Sequence, residues 1–230
     1  MTSRPLSNRT RELSPFHVMD ILAQAKALSE QGRSIIHMEV GEPDFSTADS
    51  IVSAGIEALK QGQTFYTPAL GLPELREAIS AYYQRKFSLQ VDPGRIIVTP
   101  GASGAIQLAI TSLLDAGDNV LLSDPGYPCN RNIAQVLASD TVSVPVGAES
   151  YYQLNAQLVE QFWNDRTRAA MVATPSNPTG TLLPLTQLKE LERCITEKGG
   201  ALIVDEIYQG LVYDGSDYTA LSVSDDCFVI

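Results

Sequence analysis

Apolar positions along the chain follow two rhythms that take turns. Val18, Ile21, Leu22, Ala25 and Leu28 recur at helical spacing, with Gly32 as a stop. A short apolar run at residues 35–38 leads into the turn-rich Gly41-Glu42-Pro43-Asp44. Thr47 is placed to cap a helix that ends near Gly62, and Pro73 suits the first turn of another through Leu75, Ile79 and Tyr82. From Arg95 the alternation becomes regular. Apolar runs at 96–98, 120–122, 142–146, 169–173 and 201–204 read as strands, and 227–230 begins another. Helical patterns occupy 105–114, the stretch through 133–137, 157–163 and 185–198, the last stopped by Gly199-Gly200. Strands that are apolar throughout are covered on both faces, and helices between them supply the cover. The pattern predicts an α/β fold with a mostly parallel sheet and helices on both faces. The arm before about Ser14 is polar and is expected to be loosely held.

In such sheets ligands bind beyond the carboxyl ends of the strands, so the segments after the strands matter most. The first is Thr99-Pro100-Gly101-Ala102-Ser103-Gly104, small residues that open a helix. Unpaired first-turn amides and close backbone approach suit an anion such as phosphate, although a bare helix start reads the same way. The second is Asp124-Pro125-Gly126-Tyr127-Pro128, where Tyr127 either stacks on a planar ligand or simply packs. The third is Pro175-Ser176-Asn177-Pro178-Thr179-Gly180, where Asn177 is a ligand donor or ordinary turn chemistry. The fourth is Asp205-Glu206-Ile207-Tyr208. A carboxylate at the mouth of a buried strand is costly unless a cation or good donors meet it. Lys198 is the last basic residue of the sequence, so a protonated ring nitrogen, a cap or an arginine from elsewhere are the candidates for Asp205. Four such loops, one after each strand end, are hard to explain by packing alone.

Charge and composition narrow the partners. The net charge of -11 disfavours nucleic acid, which leaves room only for a local anion site. Cys129, Cys194 and Cys227 are odd in number and far apart, and they read as reduced thiols of a cytoplasmic protein rather than disulfides or a zinc site. The only histidines, His17 and His37, are remote in sequence from Asp205, and no metal is expected. Arg4, Arg9 and Arg11 precede no apolar run, and no stretch is long enough to span a membrane. A nucleotide-binding Rossmann domain is a weaker rival, since the sequence has no GxGxxG fingerprint.

Taken together, Ser176-Asn177-Pro178-Thr179-Gly180 and Val204-Asp205-Glu206-Ile207-Tyr208 resemble the class I and II aminotransferases, which are fold-type I pyridoxal-phosphate enzymes of the aspartate aminotransferase kind. Gly41-Glu42-Pro43-Asp44-Phe45, Tyr66-Thr67, Gly71 and Leu75-Arg76 support the resemblance, which runs from about Phe16 to Ile230. It implies pyridoxal 5′-phosphate as cofactor and transamination between an amino acid and a 2-oxo acid, with the cofactor ring as electron sink. It implies that Gly101, Ala102 and Ser103 bind the phosphate, that Tyr127 stacks on the ring, and that Asn177 and Tyr208 donate to its phenolic oxygen. Asp205 is matched with the carboxylate that pairs with the ring nitrogen, and Gly41 with a backbone position beside the substrate carboxylate. Tyr66 is matched with a tyrosine that reaches the phosphate of the neighbouring subunit, which implies a homodimer. Cis peptides are expected before Pro125 and Pro178.

The resemblance also divides the chain. Residues 1–45 are expected to form the N-terminal arm and a helix of the small domain, and 46–230 the large cofactor-binding domain, incomplete, with the C-terminal part of the small domain absent. None of Lys26, Lys60, Lys86, Lys189 and Lys198 matches the family's Schiff-base lysine, which is expected beyond Ile230. The expectation is therefore a fragment of a full aminotransferase, inactive alone and prone to associate through uncovered apolar surface. A non-catalytic cofactor-binding or interaction module, and a lyase on the same fold, are the alternatives.

Overall fold

The computed structural model describes residues 7–11, 13–213, 215 and 217–230. Residues 1–6 of the polar arm, with Arg4, lie outside these. The described chain forms two compact units. One gathers Leu70–Ile230 with the described residues up to Leu13, and the other is Ser14–Ala69.

The larger unit is built on five strands, β1 (Asn119–Asp124), β2 (Asp140–Pro145), β3 (Thr167–Ala173), β4 (Ala201–Asp205) and β5 (Phe228–Val229). They stand in the order β2-β1-β3-β4-β5 and all pair in parallel. Side chains alternate across the sheet, so each apolar run feeds two cores. Val120, Leu122, Ala169, Met171 and Ile203 join one cluster, while Leu121, Ala170, Val172, Leu202 and Val204 join the other. That division explains the unbroken apolar runs at 120–122, 169–173 and 201–204.

Helices close both faces. In chain order they are α1 (Asn8–Arg11), α2 (His17–Glu30), α3 (Asp49–Lys60), α4 (Pro73–Phe87), α5 (Gly101–Leu113), α6 (Pro128–Val136), α7 (Ala156–Phe162) and α8 (Leu185–Glu197). Ile106, Ala109 and Ile110 of α5 and Ala134 of α6 pack in the first cluster. Val159 of α7 and Leu188, Leu191 and Ile195 of α8 pack in the second. The helix between β1 and β2 thus covers one face, and those leading to β3 and β4 cover the other. This change of side accompanies the reversal of strand order beside β1, the topological switch point at which open α/β sheets place their ligands.

The expected strand at 96–98 does not form. This stretch is extended, and the Val98 N–H bonds the Leu70 carbonyl at 3.0 Å, but it joins no ladder. Ile97 is 53% exposed. An apolar run becomes a strand only beside a neighbour that accepts its backbone bonds along its length, and the described chain offers none here. The capping expectation for Thr47 also fails, because the residue before α3 is Ala48 and makes no side-chain cap. Pro73 opens α4 as expected. The arm before Ser14 is less loose than expected where it is described, since Arg9 donates to the Val136 carbonyl at 2.9 Å.

The Ser14–Ala69 unit holds α2 and α3. None of its residues is buried. Ile36, Met38, Phe45 and Phe65 are exposed, as are Ile51, Ile56 and Leu59 of α3. Among the described residues no helix is long and apolar enough to cross a membrane.

Candidate functional site

A cavity of about 240 Å³ lies at the carboxyl ends of the central strands. Leu122 and Ser123 of β1, Met171 to Ala173 of β3 and Asp205 of β4 form its floor. Gly101, Ala102 and Ser103 of α5 line it, as do Tyr127, Asn177 and Tyr208 from the loops. Seven of the nine residues singled out in the sequence therefore meet in one place. The other two, Gly41 and Tyr66, are exposed residues of the Ser14–Ala69 unit.

The start of α5 follows from its glycine. Gly101 has φ 77°, a left-handed conformation that side chains resist, and its N–H bonds the Thr99 carbonyl at 2.8 Å. Pro100 precedes it and gives no side-chain cap. The amides of Ala102 and Ser103 thus begin the helix facing an unfilled need for an acceptor. The Thr99 hydroxyl turns away to the Gly101 carbonyl at 2.8 Å. A helix N-terminus, a serine hydroxyl and no acidic residue in the first turn make a good seat for a phosphate.

Tyr127 is held by a tight bend. A Cβ on Gly126 would lie 2.5 Å from the Ser123 carbonyl oxygen, so only glycine lets the loop fold back this closely. The Tyr127 hydroxyl is pushed up to about 12 by its hydrogen bond with the Cys129 thiol and by burial. Asn177 sits in a turn closed by bonds from the Gly180 N–H to the Ser176 carbonyl (2.8 Å) and from the Ser176 N–H to the Thr181 carbonyl (3.0 Å). Gln153 pins this turn to β3, donating to the carbonyls of Ala173 (3.1 Å) and Thr181 (3.0 Å). The peptides before Pro125, Pro175 and Pro178 are cis; the one before Pro175 was not expected.

Asp205 ends β4 and is 7% exposed. Its carboxylate accepts one bond, from the Ile207 N–H at 3.0 Å. No described cation pairs with it, and burial pushes its carboxyl above the usual carboxylate range. A buried carboxylate with a single donor, facing a cavity, is short of a partner. The donor best suited to it is a cationic N–H brought by a ligand.

Some residues of the site were not singled out from the sequence. Asn130 is 8% exposed, lines the cavity, and its Oδ1 has no hydrogen-bond partner. Arg131 also lines the cavity, donating to Ser143 Oγ at 2.8 Å and lying 3.7 Å from the Asp124 carboxylate. Both follow Tyr127 within one helical turn, and that spacing was the available signal. None of the chain's five lysines lines the cavity. Among the described residues no group of acidic, histidine or cysteine side chains could hold a metal.

Comparison with known proteins bears on this geometry. A family model described as "Aminotransferase class I and II" matches residues 33–229. The (5-formylfuran-3-yl)methyl phosphate transaminase of Methanocaldococcus jannaschii is 39% identical over 221 residues, which cover 96% of this chain and 56% of that protein. The valine–pyruvate aminotransferase of Mycobacterium tuberculosis is 37% identical, over 90% of this chain and 53% of its own length. A solved aminotransferase from Mycobacterium tuberculosis superposes with TM-score 0.93 at 35% identity, covering 99% of this chain and 59% of that one. The chain spans a little over half the length of the curated relatives it matches.

Proposed function

The chain belongs to the class I and II aminotransferase family, and from that membership we propose that its protein transfers an amino group between an amino acid and a 2-oxo acid, with pyridoxal 5′-phosphate seated in the strand-end cavity. The observation that carries the reading is Asp205: a buried carboxylate that shares one cavity with a helix start and is met by no described protein cation. Such a pair of ends fits a ligand with a phosphate at one side and a protonated nitrogen at the other.

The residues present fit that group. The amides of Ala102 and Ser103, with the Ser103 hydroxyl and the backbone of Gly101, would hold its phosphate. Tyr127 would lie against the ring, and Asn177 and Tyr208 would donate to its phenolic oxygen. Asp205 would keep a proton on the ring nitrogen. When bound, the cofactor supplies an electron sink for the pair left at the substrate's Cα. Asp205 raises the capacity of that sink by stabilising the protonated nitrogen, each pKa unit being about 1.4 kcal/mol. The lining from Leu122, Met171 and Val172 limits water beneath the site.

The same reading assigns Gly41 to the substrate carboxylate and Tyr66 to the phosphate of a neighbouring subunit, in a homodimer. The exposed apolar residues of the Ser14–Ala69 unit suit a surface that a second subunit covers. It divides the chain into small-domain residues 1–45 and large-domain residues 46–230. The absence of a lysine from the lining leaves the 230-residue stretch, by itself, without the group that joins the cofactor, so it is inferred to be inactive alone. The cytoplasm suits its three unpaired thiols.

The test is to express the whole reading frame, add pyridoxal 5′-phosphate and record the absorbance spectrum. A cofactor band that bleaches on adding an amino acid, with stoichiometric 2-oxo acid released, is the expected result. A protein that takes up no cofactor, or one that binds it but releases no 2-oxo acid from any amino acid, would reject the reading.

A further inference from the structure

We propose that Glu206 is a positioning residue of the cavity, a carboxylate clamp that fixes the segment carrying Tyr208 and the end of the strand carrying Asp205. The inference rests on the reading of this cavity as the cofactor's seat.

After β4 the described residues form turns and irregular backbone until the short helical turn Ala220–Ser222. Leu211 and Tyr213 on this segment are 60% and 94% exposed. Such a segment has little packing of its own to hold a functional hydroxyl in place. Glu206 supplies the missing anchor from below. Its carboxylate accepts the Ala220 N–H at 2.6 Å on one oxygen and Gln209 Nε2 at 2.7 Å on the other. The Thr219 hydroxyl is a third partner. Gln209 Nε2 also reaches the Tyr218 carbonyl at 2.9 Å, so the two ends of the segment are tied to one residue. Its backbone is fixed as well: the Glu206 N–H donates to the Ile230 carbonyl at 2.7 Å, beside β5, and its carbonyl accepts the Gln209 N–H at 2.8 Å. Tyr208 lies between these anchors.

The clamp uses both oxygens of the carboxyl group. Two oxygens face donors, and an amide would turn an N–H₂ group toward one of them, leaving buried groups unpaired. Among the described residues no cation pairs with the Glu206 carboxyl. Tyr83 from α4, Asp217 and Tyr218 from the segment, and Cys227 ahead of β5 are the titratable groups facing Glu206. Asp217 is itself paired with Lys86. Burial pushes the Glu206 carboxyl up to about 7, so protonation of the clamp falls near neutral pH. Protonation replaces an acceptor with an O–H and alters the fit to the same donors.

The test uses the protein from its whole reading frame, wild type, Glu206→Gln and Gln209→Leu. Amide exchange of residues 207–219 is followed in cofactor-free protein from pH 6 to 8, and pyridoxal 5′-phosphate affinity is then measured. In Glu206→Gln the segment should exchange about tenfold faster, and the cofactor should bind about tenfold more weakly. The pH dependence of exchange seen in wild type should vanish. Gln209→Leu keeps the carboxylate, removes one donor, and should give a smaller shift in the same direction; it carries the test if Glu206→Gln does not fold. Wild-type exchange in either variant, or a pH dependence that survives in Glu206→Gln, would overturn the proposal. Wild-type protein that binds no cofactor would instead sink the cofactor reading, while the exchange data still decide the clamp.

Discussion

Two adjacent carboxylates leave the end of β4 into opposite circumstances. Asp205 lines the cavity and accepts a single bond from its own loop, whereas Glu206 lies against the 207–220 segment and is met by Ala220, Gln209 and Thr219. Both are buried, at 7% and 6% exposure, and burial raises both above the ordinary carboxylate range. They differ in what completes them. Glu206 is satisfied by the protein and so belongs to the scaffold. Asp205 is left incomplete by the protein, and that incompleteness is what a cationic ligand can use. Burial alone does not mark a functional acid; the supply of donors does.

The sharpest way to break this contrast is Asp205→Ala. If Asp205 acts on the bound ring nitrogen, kcat should fall about a thousandfold, equivalent to about three pKa units of lost preference for the protonated ring. Cofactor affinity should fall much less, since phosphate and ring contacts remain. Parallel steady-state kinetics and cofactor titration check it, and equal losses in both would place Asp205 in binding alone.

The next effect lies in the pH dependence of stability, and its sign follows from Glu206. Its folded-state pKa, about 7, is above its ordinary 4.5, so the folded protein binds the proton more tightly than the unfolded chain does. Its contribution is full below about pH 4.5, is lost as pH rises toward 7, and is flat above. The window is worth at most about 3 kcal/mol. Denaturant melts of cofactor-free protein between pH 5 and 8 should show this decline in wild type and a flatter profile in Glu206→Gln.

The smallest effect distinguishes the two residues in the opposite sense. Asp205→Asn removes a buried charge that the empty cavity leaves short of donors, so cofactor-free protein should gain about 1 kcal/mol, a rise of a few degrees in Tm at pH 8. At pH 5, where the contribution of Glu206 is close to full, Glu206→Gln should lower Tm, because its amide turns a donor toward a donor. Differential scanning calorimetry on both variants decides the matter, and shifts of the same sign would erase the distinction.

Much of the sheet was legible because its strands are buried on both faces. Val120–Leu122 and the run before Asp205 could hardly be anything but central strands, and their carboxyl ends could be searched for chemistry. The run at 96–98 has the same apolar character yet forms no strand, since nothing in its composition states whether a neighbour will be present. The helix before Gly62 was legible too, but not that its Ile51, Ile56 and Leu59 would be exposed. Gln153 and Glu206 were illegible for a different reason. Their importance lies in bonds contributed by residues distant in the chain.

Sequence alone determined the chemical inventory of this protein: a glycine-led helix start, an aromatic, an amide, two tyrosines and an acid, each tied to a recognisable local turn. Local backbone chemistry suffices for that, because turns, caps and two-sided strands are written in neighbouring residues. Only tertiary structure decided which of them share a cavity and which of two neighbouring acids is left for a ligand. Strand order and long-range hydrogen bonds set those outcomes, and they depend on surfaces that meet only once the chain has folded.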